Sequence, residues 1–339
     1  MKPHPDLDAL LEQGVANHAF PGAAYAVMTR DVEYRGYVGS FTYEDPTPIC
    51  KDSLFDLASL TKVLATTTSA LCQASDGAFH LDQRVQDVVP GFEGEGKEQV
   101  TIRHLLQHNS GLPPHRDFWK ASDDVRWRAI LTEPLEVCPG ERTAYSCVGF
   151  LVLQQVIQEL TGERYEEAWT WPFHRIASAL EAELVFNPRE KHRCVPTEGG
   201  LQGEVHDENA RSLGGIAGNA GLFGTLDAVA KFAKLICFGE PEVIDHRLHD
   251  QWRRKQPVAD SASTRALGWD TESPSLGVQF GRESYGHTGF TGTSLFVDPL
   301  REMATVLLTN RVYPTRENTR LQTLRPRFHD LACQILIRG

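Results

Sequence analysis

The sequence lacks the short patterns that identify several common kinds of active site. It contains no G-x-S-x-G, so nothing indicates the nucleophile turn of an α/β-hydrolase. It has neither H-E-x-x-H nor cysteines at zinc spacing, so we expect no metal ion. The glycine-rich segment "GGIAGNAGLFG" has no P-loop lysine and no G-x-G-x-x-G spacing, which favours structural turns. We therefore expect no cofactor.

Basic blocks and long apolar runs are also missing. The longest basic blocks are "RWR" and "WRRK", and 45 acidic against 34 basic residues give a net charge of -11. No apolar stretch approaches the roughly 20 residues that a bilayer-spanning helix needs. We therefore expect neither a nucleic-acid nor a membrane partner. The pattern does not predict an oligomeric state.

The cysteines do not form a disulfide-type pattern. There are seven, an odd number, scattered without C-x-x-C spacing, which is more typical of a reducing compartment. The N-terminal stretch "MKPHPDLDALLEQGVANHAF" also lacks the apolar core of a secretion signal. Both features predict a cytoplasmic protein.

Strand and helix signals are distributed unevenly along the chain. The sequence predicts a helix over 6–18, a hairpin that turns at 30–31, and a hairpin formed by "TSLFVDP" and "MATVLLTN". After Pro314 it predicts a helix that Pro326 kinks or restarts. The central segments "TIRHLLQH", "GFLVLQQVIQEL", "RYEEAWTWPFHRI" and "DAVAKFAKLICF" are predicted helices.

This distribution predicts two lobes within a chain of 339 residues. Residues 1–75 and 215–339 would form an α/β lobe from both termini. Residues 76–214 would form a mostly helical lobe inserted between them.

The segment "FDLASLTKVLATTTSA", residues 55–70, combines a helix signal with a chemical one. On the predicted helix, Ser59 and Lys62 stand at i and i+3 and therefore share one face. A serine hydroxyl needs a base within reach, and Lys62 can accept a proton only if its pKa falls on burial. S-x-x-K fixes only two residues, so on its own it is more often an ordinary serine near an ordinary lysine.

Two further short patterns carry groups that fit the same chemistry. In "PGERTAYSCVGF", Tyr145 and Ser146 precede an apolar helix, and the phenol is a proton shuttle if neighbouring cations lower its pKa from about 10. In "GHTGFTGTSLFVDP", His287, Thr288 and Gly289 precede a strand, where glycine lets a ligand approach the backbone. Each pattern alone is more often structural.

In the order S-x-x-K, Y-S-x and H-T-G, the three motifs resemble the serine hydrolases related to class C β-lactamases, penicillin-binding D-peptidases and family VIII carboxylesterases. The segments "FPGAAYAV", "LFDLASLTK", "TIRHLLQHNSGLP", "PGERTAYS" and "GGIAGNAGLF" extend the resemblance over nearly the whole chain. The fold that it implies is of the α+β type, an antiparallel sheet flanked by helices plus a helical lobe, with the site in the cleft between the lobes.

The resemblance also implies roles for individual residues. Ser59 would be the acylated nucleophile and Lys62 its partner in proton transfer. Tyr145 would be the base that also activates the deacylating water. The backbone N–H groups of Ser59 and Phe290 would form the oxyanion hole, with 287–289 lining the substrate site.

Two positions depart from the family pattern. Cys147 stands where many relatives carry Asn or Asp, so an amide that orients substrate is missing. His287 stands where β-lactamases place Lys, and a neutral imidazole attracts a carboxylate less than an ammonium does. We therefore expect a hydrolase of small esters or peptide-type amides rather than a dedicated β-lactamase. Cys147 as an alternative nucleophile lacks an obvious histidine base.

Three alternatives remain open at this point. One is a cytoplasmic amidase that trims muramyl-peptide fragments of the cell wall. Another is a binding or assembly module of the same fold with a degraded site. The loop "GEVHDENA", with His206 and Asp207, is either a solvated loop or part of the cleft wall that shapes substrate preference.

Overall fold

The computed structural model describes residues 2–162, 172–239, 243–257, 264–271 and 273–338. The described helices are α1 (Pro5–Ala16), α2 (Thr68–Ser75), α3 (Ile102–Leu106), α4 (Asp123–Thr132), α5 (Cys147–Thr161), α6 (Phe173–Ala179), α7 (Glu208–Ser212), α8 (Leu226–Phe238), α9 (His246–Arg253) and α10 (Leu321–Arg338). The described strands are β1 (Gly22–Met28), β2 (Glu33–Gly39), β3 (Phe55–Asp56), β4 (Leu184–Phe186), β5 (Leu222–Gly224), β6 (Gln256–Pro257), β7 (Thr264–Arg265), β8 (Tyr285–Thr288), β9 (Ser294–Asp298) and β10 (Met303–Thr309).

The largest sheet has five antiparallel strands in the order β2-β1-β10-β9-β8. Its strands come from both ends of the sequence, and the two predicted hairpins, β1–β2 and β9–β10, are confirmed. The predicted helices at 6–18 and after Pro314 are also present, as α1 and α10. Pro326 lies inside α10, which continues past it to Arg338.

Strand β1 is buried on both faces, which explains its unbroken small and apolar sequence "GAAYAVM". Alternate residues such as Tyr25 and Val27 face the core formed with α1 and α10. Their neighbours Ala24, Ala26 and Met28 face the larger core, where α8 covers the other side of the sheet. The sheet is therefore a rigid layer between helices.

Helix α5 lies at the centre of the helical part and packs against α2, α3 and α4. Nearly all of its residues from Val148 to Leu153 are completely buried, as its apolar sequence requires. Most of the predicted helix "RYEEAWTWPFHRI" lies outside the described residues, and its described end begins α6. The lobe boundaries at 75/76 and 214/215 stay a prediction.

The segment 55–70 is not the single helix that its sequence predicts. Phe55–Asp56 is a strand that pairs with β5, and β5 also pairs with β4. Ala58 then takes a left-handed φ of 46°, so the chain turns sharply just before Ser59. Lys62–Thr67 forms a π-helical turn that continues into α2. π-turns are frequent at functional sites.

The threonines of this segment explain how the unusual turn is held. The Thr66 hydroxyl donates to the carbonyl of Gly218 at 2.7 Å, which ties the turn to the glycine-rich loop. The Thr68 hydroxyl donates to the carbonyl of Val63 at 2.9 Å, across the wider π spacing. Tertiary hydrogen bonds therefore offset the low helix propensity of the threonines.

Candidate active site

The Lys62 side chain is completely buried beneath Ser59. Its Nζ donates to Ser59 Oγ at 3.0 Å, to the carbonyl of Asn219 at 2.8 Å and to Cys147 Sγ at 3.4 Å. An ammonium has three protons, so three acceptors satisfy it fully. The backbone N–H of Lys62 also donates to the Ser59 carbonyl at 3.1 Å, which keeps both side chains on one turn.

The Lys62 pKa is raised rather than lowered, so the condition for Lys62 to accept a proton is not met in the resting site. Burial alone lowers the pKa, but the negative forms of Cys147 and Tyr145 and a hydrogen bond with Tyr145 raise it more strongly. The net pKa is above the usual lysine value. The three acceptors around Nζ fit an ammonium ion in the resting site, and Ser59 Oγ accepts one of its hydrogen bonds.

Tyr145 interacts with both Ser59 and Lys62. Burial raises its pKa to about 12, although the Lys62 charge and hydrogen bonds with Lys62 and Ser59 lower it. Lys62 thus lowers the pKa of this phenol as the shuttle role requires, but burial outweighs that effect in the resting site. The ring of His108 lies 4.8 Å from the Tyr145 ring, and His108 Nδ1 accepts a 3.0 Å hydrogen bond from the Ser146 N–H. His108 thus fixes the backbone that presents Tyr145.

The turn between β8 and β9 is attached to the segment that leads into Ser59. The Thr291 hydroxyl donates to the Asp56 carbonyl at 2.7 Å, and the Thr293 hydroxyl donates to the Leu57 carbonyl at 3.0 Å. A Cβ on Gly289 would lie 2.6 Å from the Leu57 carbonyl oxygen and 2.1 Å from Thr293 Oγ1. Only glycine allows this approach.

This attachment brings two backbone N–H groups to the same wall of the cleft. The N–H groups of Ser59 and Phe290 have no hydrogen-bond acceptor among the described residues. Both residues line the cleft. Paired free N–H groups beside a hydroxyl are the arrangement that stabilises an oxyanion.

Asp56 positions this wall, although no local sequence pattern indicates that role. Its carboxylate is buried and accepts from the N–H of Ala58 at 2.8 Å and from the N–H of His206 at 2.7 Å. The His206 ring stacks on Phe290 at 5.6 Å, and its Nε2 lies 3.1 Å from Glu198 Oε2. One carboxylate therefore joins the turn before Ser59 to the loop at 203–210. Only a long-range contact reveals this role.

The cleft has a volume of about 560 Å³. It brings together all the predicted site residues except Lys62, which lies behind Ser59. Its predicted lining residues are Ser59, Tyr145, Cys147, His206, Asp207, His287, Thr288, Gly289 and Phe290. Glu208, from the same predicted loop as His206, also lines it, whereas Arg265, Asp270, Arg311, Arg316 and Arg325 have no local sequence signal. Among the described residues, no group of three or more His, Cys, Asp or Glu side chains is placed to hold a metal ion.

The two positions that depart from the family pattern both lie in the cleft. Cys147 is the first residue of α5, after the helix cap Ser146, and its sulfur accepts from Lys62. His287 is buried, and its Nδ1 lies 2.8 Å from the Thr288 carbonyl, so Nδ1 carries the proton of a neutral ring. Burial, followed by repulsion from Lys62, lowers the His287 pKa to about 3. His287 therefore supplies no positive charge.

Buried neutral histidines make the stability of the fold depend on pH. Burial lowers the pKa of His108, His287 and His329 below the ordinary value. The unfolded chain binds protons at these groups when the pH falls below about 6.5, whereas the folded chain does not. These three histidines therefore stabilise the fold fully above about pH 6.5. Their contribution to the free energy of unfolding is lost as the pH falls toward their pKa in the folded protein.

We expect the free energy of unfolding to fall between pH 7.5 and pH 5, with about 2 kcal/mol of the loss due to His287 alone. Urea denaturation of wild-type protein and His287→Gln at both pH values measures this contribution. The variant should lose less stability on acidification than the wild type does. His115→Gln, at an exposed histidine, is the control and should keep the wild-type difference. Equal losses in wild type and His287→Gln would contradict the assignment.

The chain is similar to known proteins over most of its length. The Beta-lactamase family model matches residues 7–326. An N-acetylmuramyl-L-alanine amidase of Bacillus subtilis is 31% identical, over 90% of this chain and 80% of that protein. A putative D-alanyl-D-alanine carboxypeptidase of Salmonella typhi is 29% identical, over 84% of this chain and 76% of that one.

Solved structures show the same fold. The hydrolase EstCE1, described as having promiscuous acyltransferase activity, matches with a TM-score of 0.78 and 19% identity, over 99% of this chain and 98% of its own. A class C β-lactamase from Rhodobacter sphaeroides matches with a TM-score of 0.76 and 19% identity, over 99% and 100%. The predicted antiparallel sheet flanked by helices is confirmed.

No described helix is long and apolar enough to cross a membrane. The chain belongs to the Beta-lactamase family and is a serine hydrolase with the fold of class C β-lactamases and their esterase relatives.

Proposed function

We propose that Ser59 is the nucleophile and that it forms an acyl-enzyme with a small ester or a peptide-type amide. The observation that carries this proposal is the 3.0 Å hydrogen bond between Lys62 Nζ and Ser59 Oγ, in a cleft that Tyr145 and the Phe290 backbone also line. The nucleophile Ser59, the proton acceptor Tyr145 and the oxyanion donors would thereby surround the carbonyl group of a bound substrate.

In this mechanism Tyr145 accepts the Ser59 proton, and Lys62 acts as a fixed positive charge. The resting phenol first releases its proton to water in the cleft, and the adjacent ammonium favours the phenolate that results. Ser59 Oγ then attacks the carbonyl carbon. The N–H groups of Ser59 and Phe290 stabilise the oxyanion, and Tyr145 returns the proton to the leaving group. The same residue afterwards activates the water that releases the acyl group.

The site chemistry favours esters and amides over a dedicated β-lactamase activity. His287 is neutral, so it does not supply the permanent charge that a lysine at this position would. Cys147 supplies a thiol where an amide would orient a β-lactam. The similarity to an esterase fold and to a putative D-alanyl-D-alanine carboxypeptidase supports this substrate range.

Ser59→Ala should abolish labelling by an activated fluorophosphonate and turnover of p-nitrophenyl esters. Tyr145→Phe should lower kcat/KM by about a hundredfold or more, because it removes the proton acceptor. It should also remove a rise of kcat/KM with pH above neutrality. Ser178→Ala, at an exposed serine of α6, is the control and should be labelled and active. Labelling that persists in Ser59→Ala would refute the nucleophile assignment. Absence of any acyl-enzyme, together with tight binding of a partner, would instead favour a non-enzymatic module.

Gly289→Ala should lower kcat/KM by about a hundredfold, since the added Cβ pushes the Phe290 N–H away from Ser59. Gly149→Ala is the matched control, because a Cβ in this first turn of α5 meets its nearest atom, Ser146 Oγ, at 3.5 Å. Steady-state kinetics with a p-nitrophenyl ester compare the two. Wild-type kcat/KM in Gly289→Ala would mean that the Phe290 N–H does not stabilise the oxyanion.

A narrower function is an amidase that acts on muramyl-peptide fragments in the cytoplasm. The 31% identical relative from Bacillus subtilis is named an N-acetylmuramyl-L-alanine amidase, which supports this substrate class. All seven cysteines are free thiols, which fits a reducing compartment.

If the narrower function is correct, incubation with N-acetylmuramyl-L-alanyl-D-isoglutamine should release N-acetylmuramic acid and the free dipeptide. Mass analysis of the products detects both, and Ser59→Ala supplies the inactive control. An intact muramyl peptide alongside rapid hydrolysis of p-nitrophenyl butyrate would instead identify a general esterase.

A further inference from the structure

Thr61 lies between Ser59 and Lys62 in the chain and is completely buried. Its hydroxyl donates to the Ala58 carbonyl at 2.6 Å and accepts from the Leu222 N–H at 3.1 Å. The backbone N–H of Thr61 donates to the same Ala58 carbonyl at 3.0 Å. Two donors of one residue therefore hold this oxygen, and strand β5 orients the hydroxyl that is one of them.

The Ala58 carbonyl belongs to the same peptide group as the Ser59 N–H. This peptide is trans, and a trans peptide is planar with its C=O and N–H pointing in opposite directions. The contacts that fix the carbonyl therefore also fix the direction of the N–H. The Ser59 N–H has no acceptor among the described residues, and Ser59 lines the cleft. Thr61 thus determines where this free N–H points.

Ala58 needs such support because its backbone conformation is unfavourable. Its φ of 46° is left-handed, a region that a residue with a Cβ seldom adopts. The Asp56 carboxylate accepts from the Ala58 N–H at 2.8 Å, whereas Thr61 holds the Ala58 C=O. Loss of either contact lets the turn relax, and the Ser59 N–H turns with it.

We propose that Thr61 is a positioning residue for the oxyanion hole, because its hydroxyl aims the Ser59 N–H at the oxygen of the substrate carbonyl. This inference rests on the proposed function of Ser59. It adds a completely buried residue that does not itself line the cleft. The hydrogen bonds run in series from the Leu222 N–H through the Thr61 hydroxyl to the Ala58 peptide. Each bond in such a series polarises the next, which makes the Ser59 N–H a stronger donor.

Comparison of an ester with its thionoester measures how strongly the enzyme stabilises an oxyanion. Sulfur is a weak hydrogen-bond acceptor, so p-nitrophenyl acetate gains more from the N–H groups than O-p-nitrophenyl thionoacetate does. The oxygen preference is the ratio of kcat/KM for the two substrates, divided by the ratio of their rates of alkaline hydrolysis without enzyme. In the wild type it should be about a hundred. A smaller folded fraction lowers both kcat/KM values equally and cancels.

Thr61→Val keeps the shape of the side chain but loses the hydroxyl, so it should lower the oxygen preference about tenfold. Thr61→Ser keeps the hydroxyl and should keep most of the preference. Thr61→Cys, with a weakly donating thiol, should give an intermediate value and tests the same point if Thr61→Val does not fold.

Thr67→Val is the matched control. Thr67 lies in the π-helical turn that follows Thr61 and is 3% exposed, and its hydroxyl has no hydrogen-bond partner. Its loss should leave the oxygen preference at the wild-type value, because the Ala58 peptide is not affected.

Three results would overturn the inference. One is a wild-type oxygen preference near one, which needs no variant. Another is a wild-type preference in Thr61→Val or Thr61→Cys. The third is an equal loss in Thr61→Val and Thr61→Ser. Absence of ester turnover and of fluorophosphonate labelling in the wild type would instead refute the proposed function of Ser59, and the inference with it.

Discussion

The buried ammonium of Lys62 is the interaction on which the arrangement of the site depends. It draws acceptors from three separate parts of the chain: the Ser59 turn, the start of α5 at Cys147 and the glycine-rich loop at Asn219. A charge with all its protons accepted tolerates burial, whereas one with a missing acceptor does not. The same contacts that keep Lys62 charged therefore bring together the segments that form the cleft.

Sequence reasoning succeeded where the signal is local. The hairpins around 30–31 and between β9 and β10 follow from alternation and turn residues, and residues of all three motifs meet in the cleft wall. It was wrong about a helix over 55–70, because pairing with β5 and the left-handed turn at Ala58 override helix propensity there. It identified burial as the factor that lowers the Lys62 pKa, but not the Cys147 and Tyr145 charges that raise it more strongly. That shift depends on groups far away in the sequence.

The residues that sequence reasoning missed share a physical property. Asp56 acts through the backbone N–H of His206, 150 positions away. Arg311 and Arg325 form no ion pair among the described residues, whereas Arg265 and Arg316 in the same cleft do. The amino-acid sequence specifies the type of each residue but not its neighbours in the folded chain. The presence or absence of a counter-ion is therefore visible only in the structure. The lobe boundaries and the catalytic roles rest on the family resemblance and on the proposed experiments.

Phe290 contributes to the cleft in two separate ways. Its backbone N–H has no acceptor among the described residues, while its ring contacts both His206 and Arg311. Every amino acid except proline supplies the N–H, but only the side chain decides what packs against the ring. Natural variation at this position can therefore change which substrates are recognised while leaving the reaction intact. Related enzymes with different substrates can evolve from this fold one side chain at a time.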